Sequence, residues 1–230
     1  MVGGSVTSDE YSEVNKAMKQ DENTTLAGSL VESLTIFDPD QITADLLEVA
    51  LDHVLDEGVI KDIPIIRAIA GLAKATVSIR DRILIKKLLA FFFSLRSVSA
   101  EVRQEFRAKI AVDEEFRYRL GEKVLLIIER LDDIGKAGLI ARAFRAYMET
   151  RIDYGMFQRL ACAIDKCFYF DLMSLKSNDD PNALPVENKL ELSNAGIIRL
   201  WAMANMPTSE FDKYQVTHLG ATLLTYVLRD

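Results

Sequence analysis

Apolar residues recur at helical spacing along most of this 230-residue chain. The clearest stretch runs from Ile60 to Leu95, where two apolar runs meet at an Arg-Asp-Arg cluster and predict helices over 63–79 and 82–95. Pro64 suits the first turn of the earlier helix, because its missing N–H would have no partner there. The sequence therefore predicts two neighbouring helices at the centre of the fold.

The flanking regions continue the same pattern. Two shorter helices are predicted nearer the N-terminus, over 26–34 and 42–55, and the second has an acidic outer face. That face consists of Asp45, Glu48, Asp52 and Asp56. After Ser99, four amphipathic stretches predict long helices, and Asp113 and Asp153 open two of them, since acidic side chains suit helix N-termini. Short links between these helices favour antiparallel neighbours.

The C-terminal segment has a different pattern. Residues 197–204 and 214–216 predict two strands joined by a turn, and Thr217 is expected to cap a last helix that runs through Leu228. The predicted fold is all-α, a multi-helix bundle with a small winged-helix-like appendage of helix, β-hairpin and helix. The predicted boundaries are a polar flexible arm at 1–25, the helical bundle at 26–176, a linker at 177–188 and the appendage at 189–230.

The net charge of −7 conceals a strong separation of charge along the chain. Residues 1–60 hold 2 basic and 13 acidic side chains, whereas residues 61–159 hold 20 basic and 13 acidic ones. Such a separation has two explanations: the acidic segment folds over the basic one, or the basic segment meets an anionic partner. The sequence leaves both open.

The basic residues of the two central helices fall on narrow polar stripes, and the remaining faces are apolar. The residues predicted to meet an anionic surface or partner are Arg67, Lys74, Arg82, Lys86 and Lys87. Trp201 and Phe211 are predicted contact aromatics of the appendage, with ordinary packing of a small domain as the alternative. Broad apolar surface on a helix usually marks a core, so the pair is expected to be largely buried.

The sequence offers little support for catalysis. His53 lies among acidic residues and is expected to be a surface histidine, and His218 follows the predicted cap of the last helix. Cys162 and Cys167 stand five apart on one predicted helix, which turns their side chains away from each other and predicts buried free thiols. Glycine-rich phosphate loops are absent. No catalytic residue, metal site, cofactor or small-molecule substrate is therefore expected.

The C-terminal tail resembles a pattern common in bacterial winged-helix tails: a leucine-rich helix that ends in Gly-Ile-Ile, a variable hairpin, then Tyr-x-Val-Thr-x-Leu-Gly. The matching residues are Leu192, Gly196, Ile197, Ile198, Tyr214, Val216, Thr217, Leu219 and Gly220. With the Ile-Pro-Ile segment around Pro64, this ending resembles that of uncharacterised bacterial proteins of the abortive-infection alpha type. The resemblance implies a role in phage defence and carries over no catalytic residue.

Together these observations predict a non-enzymatic protein that acts by protein–protein interaction, with a protein partner or a second copy of itself. One alternative is a membrane-associating effector that uses the basic helices of 60–95. A second is a nucleic-acid-binding regulator that uses the appendage. The net acidic charge of the appendage, however, disfavours contacts with the phosphates of nucleic acid. The N-terminal segment lacks the apolar region of a signal peptide, so a cytoplasmic location is expected, with the periphery of the inner membrane as the alternative.

Overall fold

The computed structural model describes residues 26–36, 38–42, 62–72, 78–178, 180–201 and 213–229. Within these ranges the chain forms ten α-helices and one two-stranded antiparallel sheet. The all-α fold class is confirmed, and the order of helix, hairpin and helix at the C-terminus is confirmed with it.

The helices, in chain order, are Leu26–Ile36 (α1), Pro64–Leu72 (α2), Ile79–Leu95 (α3), Ala100–Ala111 (α4), Glu114–Arg130 (α5), Ile134–Met148 (α6), Tyr154–Lys166 (α7), Tyr169–Ser177 (α8), Val186–Asn194 (α9) and His218–Leu223 (α10). The last of these continues as a π-helical turn over Leu224–Leu228. Short 3-10 turns cover Pro39–Gln41 and Pro181–Ala183. The strands are Ile198–Trp201 (β1) and Lys213–Val216 (β2), with Ile198 opposite Val216.

Helix α6 is the centre of the bundle and packs against α3, α7 and the C-terminal turn. Its fully buried Phe144 is surrounded by other aromatic rings, with centroid separations between 5.3 and 5.9 Å. These neighbours are Phe91, Phe106, Tyr147 and Phe157. Aromatic pairs add to the free energy of simple burial, so this cluster fixes the relative positions of four helices.

The predicted helix starts are confirmed at three side-chain caps. Asp113, Asp153 and Thr217 each accept a hydrogen bond from the backbone N–H three residues further on, at 2.8, 2.7 and 3.1 Å. Such caps satisfy N–H groups that have no partner inside the helix. They are local in sequence, which is why the pattern could predict them.

Two predicted helices differ from the structure. The helix expected over 63–79 is Pro64–Leu72 in its described part, and Ser78 instead caps α3 through a reciprocal pair of bonds with Asp81. The single helix expected after Asp153 is broken at Cys167 and Phe168, both of which have extended backbone. The break buries Cys167 and turns Phe168 outward, although the periodic pattern had assigned Phe168 to the apolar face.

In the segment 177–188, predicted as a linker, residues 180–188 make defined contacts with the rest of the fold. Pro181 and Leu184 are buried, and the Asn182 side chain binds the backbone of Tyr214 in β2 through N–H and carbonyl contacts of 2.7 and 3.1 Å. The prolines and asparagines of this segment form a turn and hydrogen bonds, although the composition of the segment predicted a linker. The segment therefore fixes the hairpin in place.

The appendage also shares the core of the bundle. Leu192, Ile197, Leu223 and Val227 are fully buried in the same hydrophobic cluster as the long helices. The hairpin and last helix are thus an extension of one core, and the predicted boundary at 189 marks no gap in packing.

Several predictions lie outside the described residues. They concern the flexible arm at 1–25, the acidic face of Asp45, Glu48, Asp52 and Asp56, His53, Lys74 and Phe211.

Candidate partner-binding surface

One end of the bundle is built around two buried lysines, and we call it the lysine end. Helices α5 and α7 end there, the starts of α6 and α8 are in contact there, and Arg80 joins the first turn of α3 to the end of α5. Lys87 is 7% exposed and Lys136 is fully buried. Buried ammonium groups need hydrogen-bond partners, so the contacts of these two side chains define how the end is held together.

Lys136 joins α6 to the end of α7. Its Nζ lies 2.6 Å from Asp132 Oδ1 and donates a hydrogen bond of 3.1 Å to the carbonyl oxygen of Asp165. That carbonyl belongs to the last turn of α7, where backbone oxygens lack helical partners and a cation is favourable. The hydrogen bond from Lys136 also holds the pKa of the Asp132 carboxyl below its usual value.

Lys87 likewise joins α3 to the end of α5. Its Nζ donates to the carbonyl oxygen of Glu129 at 2.9 Å, in the last turn of that helix. Burial lowers the pKa of Lys87, while the nearby carboxylates of Glu129 and Asp132 act in the opposite direction. Lys87 was predicted to meet an anionic partner; in the structure its ammonium lies inside the fold and donates to the end of α5.

Ion pairs cover these lysines from outside. Arg80 of α3 pairs with Glu129, and Arg130 pairs with Asp165 at 2.8 Å. Arg80 and Arg130 remain largely exposed. Such surface pairs contribute little free energy individually, but here they link three helix ends into one network.

Large apolar side chains are exposed around this network. Ile79 and Ile83 stand one turn apart on α3, with 78% and 45% of their surface exposed. Ile134, the first residue of α6, is 42% exposed, and Phe168 and Phe170 are 63% and 74% exposed at the start of α8. Large exposed apolar side chains of this kind are candidates for contact with a partner.

The starts of α6 and α8 are in close contact. A Cβ atom added at Gly135 would lie 2.8 Å from the ring of Tyr169, so only glycine allows this approach. Ile134 precedes this contact in α6, and Phe168 and Phe170 flank it in α8. The three exposed apolar side chains are therefore sequence neighbours of one junction.

The described members of the predicted basic set differ in their surroundings. Arg67 is exposed on α2 and makes no ion pair with another described residue, whereas Arg82 and Lys86 are half-buried on α3. Lys87 is inside the lysine end, and Lys74 lies outside the described ranges. The stripe on α3 is thus partly a structural feature of the bundle.

The appendage presents a different kind of face. Val186, Glu187, Leu190 and Asn194 are all exposed and share one side of α9, the helix that precedes the hairpin. None of them is basic, and this weighs against phosphate contacts by the helix. Trp201 ends β1 opposite Lys213 and is 41% exposed.

The remaining candidate groups are one histidine and two thiols. His218 is exposed in the first turn of α10. Both cysteines are free thiols as predicted, but Cys162 is exposed and only Cys167 is buried, which raises the pKa of Cys167 to about 12.

In the part of the chain that is described, no cluster of three or more His, Cys, Asp and Glu side chains is arranged to hold a metal ion. None of the described helices is both long and apolar enough to cross a bilayer.

Comparison with protein-family models, with curated proteins and with solved structures finds no match for this chain.

Sequence reasoning missed Lys136, Phe168 and Phe170. A signal for Lys136 was present, since Asp132 and Lys136 stand four apart across a helix start, a spacing that brings opposite charges together. The exposure of the two phenylalanines had no such signal, because it depends on the break between α7 and α8.

Proposed function

We propose that this protein is a non-enzymatic binding protein whose lysine end docks onto a partner protein. In line with the resemblance of its tail, we further propose that this binding serves phage defence in the bacterial cytoplasm. The observation that carries the proposal is the exposure of Phe168 and Phe170, with Ile134, at the junction of α6 and α8.

The composition of this surface supports a protein as the partner. Protein interfaces combine an apolar, often aromatic centre with a charged rim, and Phe168 and Phe170 supply such a centre. The charged groups nearby, Arg130 with Asp165 and Asp132 with Lys136, are already paired with each other. A partner would therefore not have to bury unpaired charges.

The rigidity of the surface supports it further. The buried lysines bind the last turns of α5 and α7, and Gly135 allows direct contact between α6 and Tyr169. Helix ends held in this way lose little conformational entropy when a partner binds.

Replacement of Phe168 and Phe170 together by serine is expected to abolish partner binding and leave the fold intact, because both side chains are exposed. Pull-down from the native host would detect a different protein as the partner. Sedimentation velocity would detect self-association. The matched control is Val112→Ser, which removes an apolar side chain that is 88% exposed at the end of α4.

The proposal is supported if wild type and Val112→Ser both retain a discrete protein, or both form a dimer, and the double serine variant does neither. If wild type is monomeric and retains no protein, or if the double variant retains the same protein equally well, the proposal fails.

A second candidate function is docking on an anionic membrane surface through the start of α3. The observation that favours it is that the exposed Ile79 and Ile83 lie next to the exposed Arg80 on α3. Apolar side chains beside cationic ones are typical of helices that bind at a membrane interface. Flotation with vesicles of phosphatidylglycerol is expected to carry wild type upward and to leave the Ile79→Ser, Ile83→Ser variant behind. Failure of wild type to float would rule out this function.

A further inference from the structure

The two long edges of the β-sheet differ in the contacts that they make. At the outer edge of β2, Asn182 accepts a hydrogen bond from the backbone N–H of Tyr214 at 2.7 Å and donates one to its carbonyl oxygen at 3.1 Å. On the outer side of β1, no described residue hydrogen-bonds to the backbone of the strand. This outer side of β1, which we call the open edge, is able to pair with a further strand.

The contacts of Asn182 show which backbone groups lie on the open edge. Because both backbone groups of Tyr214 are turned away from β1, Tyr214 and its partner Leu200 exchange no hydrogen bonds with each other. Such pairs alternate along an antiparallel sheet with pairs that do exchange hydrogen bonds. The N–H of Thr217 donates to the carbonyl oxygen of Ile197 at 3.0 Å, as this alternation requires. The N–H and the carbonyl oxygen of Leu200 therefore point outward at the open edge.

The side chains of β1 favour pairing at this edge. Leu200 and Trp201 have 46% and 41% of their surface exposed, and Arg199 is also exposed. Side chains alternate along a strand, so Arg199 and Trp201 lie on one face of the sheet and Leu200 on the other. Proteins often protect an edge strand with a proline or a bulge, and Ile198–Trp201 contains neither.

A second copy of β1 matches the open edge in one register. Two identical strands pair antiparallel about a two-fold axis, and the registers with the greatest overlap place this axis at Arg199 or at Leu200. An axis at Arg199 would set two guanidinium groups directly opposite each other, which is destabilising. An axis at Leu200 pairs it with the partner's Leu200 and sets Arg199 opposite the partner's Trp201. That arrangement allows a cation–π contact, which the symmetry repeats.

We propose that β1 pairs with β1 of a second copy of this chain, antiparallel and centred on Leu200, to form a four-stranded sheet. This self-association goes beyond the function proposed for the lysine end, because it uses a strand edge and none of the helix ends. So short a strand gives a small interface, and the expected Kd of the dimer is about 100 µM. At low micromolar concentration this pairing contributes little, and a dimer observed there belongs to the lysine end.

The test is sedimentation equilibrium of the full chain between about 10 µM and about 1 mM. Wild type is expected to dimerise over this range, and Leu200→Pro is expected to stay monomeric. Proline removes the N–H at the centre of the proposed pairing, but no hydrogen bond to β2, so the hairpin should be retained. The matched control is Leu200→Thr, which keeps this N–H and should dimerise within about fivefold of the wild-type Kd. Thermal unfolding would verify that both variants are folded.

A second variant tests the register without a change to the backbone. Arg199→Thr is expected to weaken the dimer at least about fivefold, because the symmetry removes both contacts with Trp201 at once. Stronger dimerisation of Arg199→Thr would mean that two copies of Arg199 face each other, and the proposed register would be wrong.

The double variant Phe168→Ser, Phe170→Ser separates the open edge from the lysine end. It should dimerise at high concentration as wild type does, since both replaced side chains belong to α8 and its N-cap. If wild type is monomeric up to about 1 mM, if Leu200→Pro dimerises equally well, or if the double serine variant loses the dimer, β1 does not pair with a second copy.

Discussion

Replacement of Gly220 by alanine is expected to cost about 3 kcal/mol of the free energy of unfolding, or more, because the new methyl group would collide with backbone. A Cβ atom at this position would lie 2.1 Å from the carbonyl oxygen of Ile197 and 2.9 Å from a methyl carbon of Val216. The carbonyl of Ile197 also accepts hydrogen bonds from the backbone and side chain of Thr217, so it is not free to move. The last helix would therefore have to separate from the hairpin.

Urea-induced unfolding, followed by circular dichroism, would measure this loss. The matched control is Gly71→Ala, since Gly71 is an exposed helical glycine of α2 with nothing within 4 Å of an added Cβ. That change should stabilise the protein by up to about 1 kcal/mol through helix propensity. Equal effects of the two changes would contradict the close packing of α10 against Ile197 and β2.

Replacement of Lys136 by alanine is expected to destabilise the fold by about 2–4 kcal/mol. The change leaves a cavity, removes the donor from the carbonyl oxygen of Asp165 and removes the partner of Asp132. Lys136→Met fills the same space without the ammonium and should cost less, about 1–2 kcal/mol. Lys123→Ala on the exposed face of α5 is the control and should stay within about 0.5 kcal/mol of wild type.

The pH dependence separates the loss of charge from the loss of volume. Lys136 holds the pKa of Asp132 below its usual value of 3.8, so this pairing adds stability above about pH 4 and loses it as the pH falls through the lowered pKa. The gap in stability between wild type and Lys136→Met should therefore narrow on acidification below about pH 4. A gap that is constant with pH would mean that the ion pair contributes nothing.

The sequence predicted those parts of the fold that depend on local patterns. The caps at Asp113, Asp153 and Thr217 and the two strands around Ile198 and Tyr214 follow from residue types and spacing within a few positions. Apolar periodicity was likewise sufficient for the class of the fold. Each of these signals acts over less than a few turns of chain, which is the range that a single sequence shows directly.

The binding surface depends on contacts between distant residues and could not be predicted in the same way. Lys87 bonds to a carbonyl 42 residues away and Lys136 to one 29 residues away. In the sequence, Lys87 is one of several basic residues of the central helices, and a pattern alone does not distinguish a helix-capping lysine from one that meets a partner. Phe168 likewise has the spacing of a core residue, and only the extended backbone at Cys167 exposes it.

The break between α7 and α8 also gives the two thiols opposite accessibility. Cys162 is exposed on α7, whereas Cys167 is fully enclosed and has a pKa near 12, at which almost no thiolate forms in neutral solution. A thiol reagent should therefore label the native protein once, close to the lysine end, and reach Cys167 only when the junction opens. The chain thus contains its own pair of chemical reporters, one for events on the surface and one for the integrity of the interior.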